Sequence, residues 1–290
     1  MNKGKIKNLL LLTILCIVII AGIIIVPIVL FKLNQEEKMP EGGPYYHQIY
    51  SAYSSDGLNW TVNKTLIFDH ASVPGAVYFN GKIYLYFVNA ESGEKLSVAI
   101  SQNNGSTFKV YNVIINGTHS PRPVDPAPMV DNGKIRLTYL GNLMCGSTNN
   151  IVTATSSDGI NFNEEGIIYS GSEITDPDLF KNSTGGWVLF VNRGPNLIKA
   201  TSPTITNNFT TDNSFNFTGG WLASTHYING KNYTYLHNGK NISVAEYNSS
   251  GLTILAENLI SGFRGIVGDP TVAVLGPNKY IMYFKTCITC

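Results

Sequence analysis

The chain has 290 residues, of which 43% are hydrophobic and 13% are charged, and its formal net charge is +1. With 20 basic and 19 acidic residues, it lacks the positive charge that a nucleic-acid-binding surface needs. Its 28 Gly and 16 Tyr favour strands and turns, and the composition excludes a coiled coil, a disordered tail and a small disulfide-rich fold.

Residues 9–31 form an uncharged apolar run that is long enough to cross the roughly 30 Å of a bilayer as one helix. Basic residues precede the run and acidic residues follow it: Lys3, Lys5, Lys7, Glu36 and Glu37. The positive-inside rule therefore predicts a type II protein of the cell membrane. Residues 1–8 form its cytoplasmic tail, residues 32–44 a linker, and residues 45–290 an extracellular domain. The alternative, a cleaved signal peptide, would have a shorter apolar core of about 7–15 residues.

Two residue types agree with an exported domain. Asn-x-Ser/Thr sequons, which are glycosylated only in exported chains, begin at Asn59, Asn63, Asn104, Asn116, Asn182, Asn208, Asn216, Asn232, Asn241 and Asn248. Outside the apolar run the cysteines are Cys145, Cys287 and Cys290. They permit one disulfide, either from Cys145 to the C-terminus or between the two C-terminal cysteines.

Five segments of the exported part share a pattern of apolar strand, tight turn and strand rich in Tyr or Phe. They are residues 72–87, 124–140, 175–191, 221–236 and 268–284. Their turns centre on Gly81, Gly133, Gly186, Gly230 and Asn278, so the repeat length is about 49 residues. Asn-Gly, present in three of the turns, suits the positive φ angles of a two-residue hairpin. A hairpin repeat of this length predicts an all-β fold, a five-bladed β-propeller with four strands in each blade.

A second turn type recurs between the hairpins, at residues 54–60 and 156–162, with a longer version at 101–108. Its Asp or Asn side chain can bond to the backbone two residues on, and the following Gly turns the chain. Asp56 and Asp158 are therefore interpreted as structural. Because the first such turn precedes the first hairpin, residues 48–68 are predicted to supply the two outer strands of the last blade and so to close the ring.

The innermost strands of a propeller converge, so residues at their starts meet at one mouth of the central channel. Asp-Pro begins three of the predicted inner strands, and a further carboxyl follows one of them. These candidate catalytic residues are Asp125, Asp176, Asp178 and Asp269. Asp-Pro can also simply begin a strand, with the Asp bonded locally. Convergence of several carboxyls at one mouth favours a ligand site.

Arginines also lie close to the predicted blade mouths, at Arg122, Arg193 and Arg264. Together with His226 they are the candidate substrate-binding residues, although single histidines are more often packing residues. No metal-binding or cofactor-binding motif is present. A Ca²⁺ ion in the channel is conceivable but nothing in the sequence indicates one.

The hairpin motifs resemble those of the five-bladed furanosidases, the invertase and levansucrase group, to which arabinanases and β-xylosidases are related. Residues 72–87 resemble the first-blade motif, Asp125-Pro126 resembles the Arg-Asp-Pro motif, and residues 177–180 resemble the end of Glu-Cys-Pro-Asp-Leu-Phe. The second type of turn resembles the Asp-box turns of sialidases. The resemblance implies a glycosidase-like propeller, with Asp125 as the transition-state-stabilising residue.

Two positions depart from the family pattern. The nucleophile or base would fall at Val73, and the acid Glu would fall at Thr175. Since glycoside hydrolysis generally needs two carboxyl groups on opposite sides of the scissile bond, activity as an enzyme is left open. The sequence predicts a membrane-anchored propeller that acts on or binds carbohydrate at its channel mouth. The alternative is a non-catalytic surface propeller that binds glycans or proteins.

Overall fold

The computed structural model describes residues 42–143, 148–206 and 209–287, with the backbone alone at 222 and 223, and contains 21 strands in these ranges. In chain order they are β1 (His47–Ser54), β2 (Thr61–Asp69), β3 (Ala71–Phe79), β4 (Lys82–Asn89), β5 (Lys95–Ser101), β6 (Lys109–Asn112), β7 (Ile114–Asn116), β8 (Val124–Asp131), β9 (Lys134–Leu140), β10 (Thr148–Ser156), β11 (Asn161–Ser172), β12 (Ile174–Lys181), β13 (Trp187–Arg193), β14 (Asn196–Ser202), β15 (Thr210–Thr211), β16 (Trp221–Ile228), β17 (Lys231–His237), β18 (Ile242–Asn248), β19 (Gly251–Ile260), β20 (Val267–Gly276) and β21 (Lys279–Cys287). Short 3₁₀ turns occupy Gly43–Tyr46 and Ala90–Ser92.

The strands form five antiparallel sheets, which are the blades of the predicted propeller. Blade 1 has the order β3-β4-β5-β6, blade 2 β8-β9-β10-β11, blade 3 β12-β13-β14-β15, and blade 4 β16-β17-β18-β19. Strand β7 adds a short parallel edge to blade 2. Blade 5 has the order β20-β21-β1-β2, so it combines the last two strands of the chain with the first two.

The ring closes as predicted, through antiparallel pairing of β1 with β21. The register places His47 opposite Cys287 and Ser54 opposite Tyr280. Cys287 is disulfide-bonded. The other cysteines of the chain, including both predicted partners, lie outside the described residues, as does the sequon residue Asn208.

The hairpin turns follow the predicted pattern with one exception. Gly81, Gly133, Gly230 and Asn278 all have positive φ. In blade 3 the residue with positive φ is Gly185, not the predicted Gly186, because the Asn182 side chain accepts hydrogen bonds within a longer loop.

The apolar core lies between the blades. Among the described residues, five buried clusters each join two neighbouring blades. Tyr86 and Leu137 belong to the cluster between blades 1 and 2, and Phe190 and Leu236 to the one between blades 3 and 4. Because each blade packs against a neighbour on both of its faces, both faces of its second strand carry apolar residues.

The Asp-containing turns are structural, as their sequence indicates. Asp56 Oδ1 accepts hydrogen bonds from the backbone N–H groups of Leu58 and Asn59, each at 2.8 Å. Asp158 makes the equivalent bonds in blade 2. Burial alone would raise the pKa of Asp56, but the donors of Asn59, Leu58 and Ser54 outweigh it and lower this pKa to about 2.

Tyrosines of the second strands anchor these turns to the neighbouring blade. The Tyr86 hydroxyl in blade 1 donates to the Gly159 carbonyl in blade 2 at 3.0 Å. The Tyr235 hydroxyl in blade 4 donates to the Gly57 carbonyl in blade 5 at 2.9 Å. Each bond satisfies a buried hydroxyl and links one blade to the outer turn of the next.

Within the described ranges, no helix is long and apolar enough to span a membrane. The predicted anchor, residues 9–31, lies outside these ranges.

Blades 1 and 2 approach so closely at the channel that only glycine fits between them. A Cβ atom on Gly75 would lie 2.0 Å from the Pro126 carbonyl oxygen and 2.7 Å from Cδ of Pro128. Gly75→Ala should therefore destabilise the fold by about 1–3 kcal/mol and lower Tm by about 2–12 °C in a domain of this size. Thermal unfolding checks this against Gly186→Ala, whose Cβ would have atoms of the Asn182 side chain, at 3.3 Å and beyond, as its nearest neighbours. Equal Tm values for the two variants would contradict the close approach.

Candidate functional site

Every innermost strand begins with a bulge that interrupts its pairing with the second strand of the blade. In four blades the bulge holds two unpaired residues. The second is proline and the first has positive φ, at Val73 (46°), Asp125 (53°), Asp176 (47°) and Asp269 (48°). In blade 4 the bulge holds Ala223 alone. The three Asp-Pro aspartates therefore occupy equivalent positions at one mouth of the channel, as predicted.

Val73 shows that this backbone shape is kept in blade 1 without a carboxyl group. Asp tolerates positive φ better than a β-branched residue does. For Val73 the conformation costs of order 1–3 kcal/mol, which the surrounding blade must offset. The position at which the furanosidases carry their nucleophile or base is thus built normally here but presents an apolar side chain.

Asp269 is held in an ion pair. The Lys285 ammonium, from β21, lies 2.5 Å from Asp269 Oδ2, and both side chains are only 14% exposed. His237 Nε2, at the end of β17, lies 3.4 Å from Asp269 Oδ1. Burial would raise the pKa of Asp269, but the Lys285 charge and the His237 contact outweigh it and hold this pKa well below its usual range. Asp269 is an ionised carboxylate that is already neutralised by a cation.

Asp125 and Asp176 retain their protons to a higher pH than an ordinary aspartate does. The Asp176 backbone N–H donates to Asp125 Oδ2 at 3.3 Å, which brings blades 2 and 3 together. Burial and the neighbouring Asp176 charge raise the pKa of Asp125 well above its ordinary value. Burial and the Asp269 charge raise the pKa of Asp176, whose Oδ2 accepts hydrogen bonds from Thr175 at 2.8 Å and Asn192 at 3.1 Å. The mouth therefore combines two carboxyl groups of raised pKa with one paired carboxylate.

The open space at this mouth is small. Val73, the three aspartates and the adjacent prolines line a recess of about 30 Å³. That is roughly the volume of one water molecule, whereas pockets that enclose organic ligands measure about 300–1,000 Å³. In the part of the chain that the structure describes, no three His, Cys, Asp or Glu side chains are grouped so that they could hold a metal ion.

The three arginines lie at the same end of the blades but away from the aspartates. Arg122 is exposed and pairs with Glu94. Arg193 is exposed at the end of β13, where Nε donates to the Ser172 carbonyl at 3.2 Å, and Arg264 is exposed in the loop before β20. Among the described contacts, none joins one of these arginines to a mouth aspartate. Their assignment as substrate-binding residues stays a prediction.

Asp178 and His226 lie inside the channel and not at the acidic mouth. Asp178, on β12, is 4% exposed, and the backbone N–H and hydroxyl of Thr225 donate to its carboxyl group. His226, on β16, accepts a hydrogen bond at Nε2 from the Val272 backbone N–H at 3.0 Å. Both side chains line a larger cavity that does not include the mouth aspartates. The bulge explains this for Asp178, because the unpaired residues before it break the alternation of faces along β12.

Three residues of the mouth were not singled out from the sequence: Lys285, Asn192 and His237. Each lies near the end of a second strand. Asn192 and Lys285 occupy the position that Val88 has in blade 1 and Leu140 has in blade 2, and His237 lies next to the equivalent position in blade 4. A polar residue at the end of an otherwise apolar Tyr/Phe-rich strand was therefore the available signal. Trp221 is 39% exposed, and its ring lies 5.5 Å from the ring of His237 at an angle of 42°, whereas Trp187 is buried.

No protein-family model and no curated protein matches the chain. Solved structures do match its fold. An α-L-arabinofuranosidase from Clostridium thermocellum matches with a TM-score of 0.57 and 16% identity, over 73% of this chain and 80% of that one. A family 117 glycoside hydrolase from Zobellia galactanivorans matches with a TM-score of 0.56 and 13% identity, over 86% and 92%.

An arabinanase from Bacillus subtilis is also similar, with a TM-score of 0.53 and 15% identity, over 73% of this chain and 94% of that one. At these identities the similarity concerns the fold. It confirms the expectation drawn from the hairpin motifs: the chain has the five-bladed propeller fold of the arabinanase-type and family 117 glycoside hydrolases.

Proposed function

We propose that this protein is a membrane-anchored, extracellular propeller that binds carbohydrate at its acidic mouth without cleaving it. The fold it shares with glycoside hydrolases supports carbohydrate as the ligand class. The ion pairing of the ionised carboxylate at the mouth supports binding over hydrolysis.

The observation that carries the proposal is the pairing of Asp269 with Lys285. Hydrolysis requires one carboxyl group that delivers a proton and another that is free to act as nucleophile or base. Asp125, with its raised pKa, suits the first role. Asp269 is the ionised carboxyl, but Lys285 at 2.5 Å and His237 at 3.4 Å occupy its oxygens. Val73 and Thr175 supply no substitute.

The mouth offers what a hydroxyl-bearing ligand needs for recognition. Asp125 can donate a hydrogen bond when it is protonated, and the carboxyl oxygens of Asp176 can accept one. The recess of about 30 Å³ accommodates a single hydroxyl group and cannot enclose a sugar ring. A glycan lying across the mouth, with Trp221 exposed nearby, fits this shape better than a substrate gripped on both sides of a bond.

The sequence supports the proposed location. Residues 9–31 are long enough to span a bilayer, and the preceding lysines orient the remainder outward. The sequons of the propeller suit an exported domain.

The test uses the full-length chain in a detergent without a sugar headgroup. We expect xylose- and arabinose-containing oligosaccharides or sialosides to bind in calorimetry or ligand-observed NMR. Asp125→Ala, which removes the donor, should weaken that binding about tenfold, the value of one hydrogen bond of about 1.4 kcal/mol. Aryl furanosides, pyranosides and sialosides should release no aryl alcohol above background.

Tyr53→Ala is the matched control, since Tyr53 is 42% exposed on the outer blade surface and should not affect binding. Glycoside cleavage that Asp125→Ala abolishes would replace the proposal with the hydrolase alternative. Absence of saccharide binding, or binding unchanged in Asp125→Ala, would overturn the site.

A further inference from the structure

The channel contains a much larger cavity at the end opposite the acidic mouth. Its volume is about 990 Å³, and it extends from the channel-lining prolines to the far ends of the inner strands, around Tyr78, Lys181 and Tyr227. The inner strands all run in the same direction from the mouth, so these residues mark the other face of the propeller. The volume lies in the range of pockets that enclose small organic ligands.

A buried carboxyl group with an unused oxygen lines this cavity. Asp178 is 4% exposed, and Thr225 donates to its carboxyl group through both its hydroxyl and its backbone N–H. One of its oxygens, Oδ2, is buried and has no hydrogen-bond partner among the described residues. Buried polar atoms rarely stay unpaired, because an unmade hydrogen bond costs about 1–3 kcal/mol. The Asp178 carboxyl group, which lines the cavity, therefore retains acceptor capacity for a ligand that donates a hydrogen bond.

The histidine that lines the same cavity offers the complementary group. His226 Nε2 accepts from the Val272 backbone N–H and lies 2.9 Å from the Ser224 hydroxyl. Burial lowers the pKa of His226 to about 4, so the ring is neutral at pH 7. A neutral ring that accepts at Nε2 carries its proton on Nδ1. His226 is thus a donor, and a ligand that accepts a hydrogen bond would match it.

The cavity rim carries little net charge. Lys181 pairs with Asp131, and Lys231 pairs with Glu246 at 2.8 Å. Two tyrosines at the rim, Tyr78 and Tyr227, are accessible to solvent, and Tyr227 is 69% exposed. Aromatic faces beside hydrogen-bonding groups suit a ligand with both apolar and hydroxyl-bearing sides.

These groups together select the ligand chemistry. At pH 8 Asp178 is ionised, because its pKa is about 7. An ammonium ion then donates to Asp178 but cannot accept from His226, and a carboxylate accepts from His226 but cannot donate to Asp178. A hydroxyl group does both. We propose that this cavity binds a neutral polyhydroxylated ligand, a sugar or a polyol, between Asp178 and His226. This site is separate from the acidic mouth and does not depend on the function proposed for the mouth.

The test again uses the full-length chain in a detergent without a sugar headgroup. Production in a bacterial host leaves the three rim sequons, Asn182, Asn232 and Asn248, without glycans. Xylose, arabinose, glucose and sorbitol are titrated by ligand-observed NMR at pH 8, where Asp178 is ionised, alongside methylammonium and acetate. At least one sugar or polyol should bind, while the two ions should not.

Variants assign the binding to the cavity. Asp178→Asn removes the acceptor with little change in shape, and Tyr227→Ala removes the exposed ring. Each should weaken binding about tenfold or more, whereas Tyr53→Ala, remote from the cavity, should have no effect. Asp125→Ala separates the two ends of the channel, because it should alter only binding at the mouth.

Three outcomes would overturn the inference. One is that no sugar or polyol binds to the wild-type chain. Another is that binding depends on Asp125 and is unchanged in Asp178→Asn and Tyr227→Ala, which would leave the mouth proposal intact. The third is that methylammonium or acetate binds in preference to the neutral probes.

Discussion

Replacing Lys285 by methionine is expected to destabilise the propeller by about 3–5 kcal/mol, the usual cost of leaving a buried charge without its partner. Methionine keeps most of the apolar stem of lysine, so the variant loses chiefly the ion pair between the ammonium group and Asp269, 2.5 Å apart. For a domain of this size the corresponding fall in Tm is on the order of 6–20 °C. Thermal and urea unfolding of the full-length chain measure it.

The controls for this prediction separate lost charge from lost packing. In the double variant Lys285→Met with Asp269→Asn no unpaired charge remains, so much of the stability should return. Lys231→Met removes a lysine from the half-exposed ion pair with Glu246 and should leave Tm nearly unchanged. If the double variant were as unstable as the single one, packing and not charge would explain the loss.

The pH dependence gives a second readout for Lys285→Met. In the wild type the pKa of Asp269 is lowered, so its contribution to stability is present above the unfolded value of about 3.9 and is lost as the pH falls. Without Lys285, burial raises the pKa of Asp269, and the variant regains stability in acid as this carboxyl protonates. The difference between the two proteins should therefore be largest near pH 7 and narrow toward pH 4 as Asp269 protonates in the variant. It should narrow further below about pH 4, where the wild type loses its ion pair.

The fold was predictable because each blade repeats the same local signals. Asn-Gly turns such as the one at Gly81 need positive φ, and the Asp56 turn is formed by bonds within three residues of sequence. Counting these signals gives the blade number, and the position of the first turn gives the closure by β1 and β21. Gly186 was misplaced by one residue because the Asn182 side chain lengthens that loop.

The site was predictable only in part, because its electrostatics depend on contacts between distant residues. The Asp-Pro pattern identified the mouth aspartates, since a positive φ before proline is a local property. Lys285 is adjacent to Asp269 through the pairing of β20 with β21, which no local motif encodes. Asp178 follows Asp176 by two residues and would share its face in a regular strand. The bulge turns it into the channel instead.

Replacing Asp178 by asparagine is expected to stabilise the protein at pH 8 and to remove a large part of its pH dependence. Burial raises the pKa of Asp178 to about 7, although the Thr225 donors oppose the shift. The unfolded chain releases this proton near pH 3.9. Between these values the folded state binds more protons than the unfolded state, so wild-type stability falls as the pH rises and levels off above about 7.

A shift of about three pKa units corresponds to roughly 4 kcal/mol, at 1.36 kcal/mol per unit. Asparagine cannot titrate, and its carbonyl oxygen can accept both Thr225 donors. Urea unfolding at pH 4 to 8 should therefore show similar stabilities for wild type and Asp178→Asn at pH 4 and a growing advantage for the variant up to pH 8. Glu257→Gln, on the exposed surface of β19, should follow the wild-type curve throughout.

Lys285→Met and Asp178→Asn are expected to change stability in opposite directions because the two buried carboxyl groups have different partners. Asp269 has a cation and loses stability when that cation is removed, whereas Asp178 has only neutral donors and gains stability when its own charge is removed. Asp178 accepts from Thr225 and so links blades 3 and 4, but it lowers stability at neutral pH and leaves Oδ2 unpaired, a combination that functional residues often show. A constant difference between Asp178→Asn and wild type from pH 4 to 8 would show that Asp178 does not titrate in this range and would remove this argument. A difference that grows with pH, together with weaker sugar binding by a fully folded variant, would assign the unpaired oxygen to the ligand.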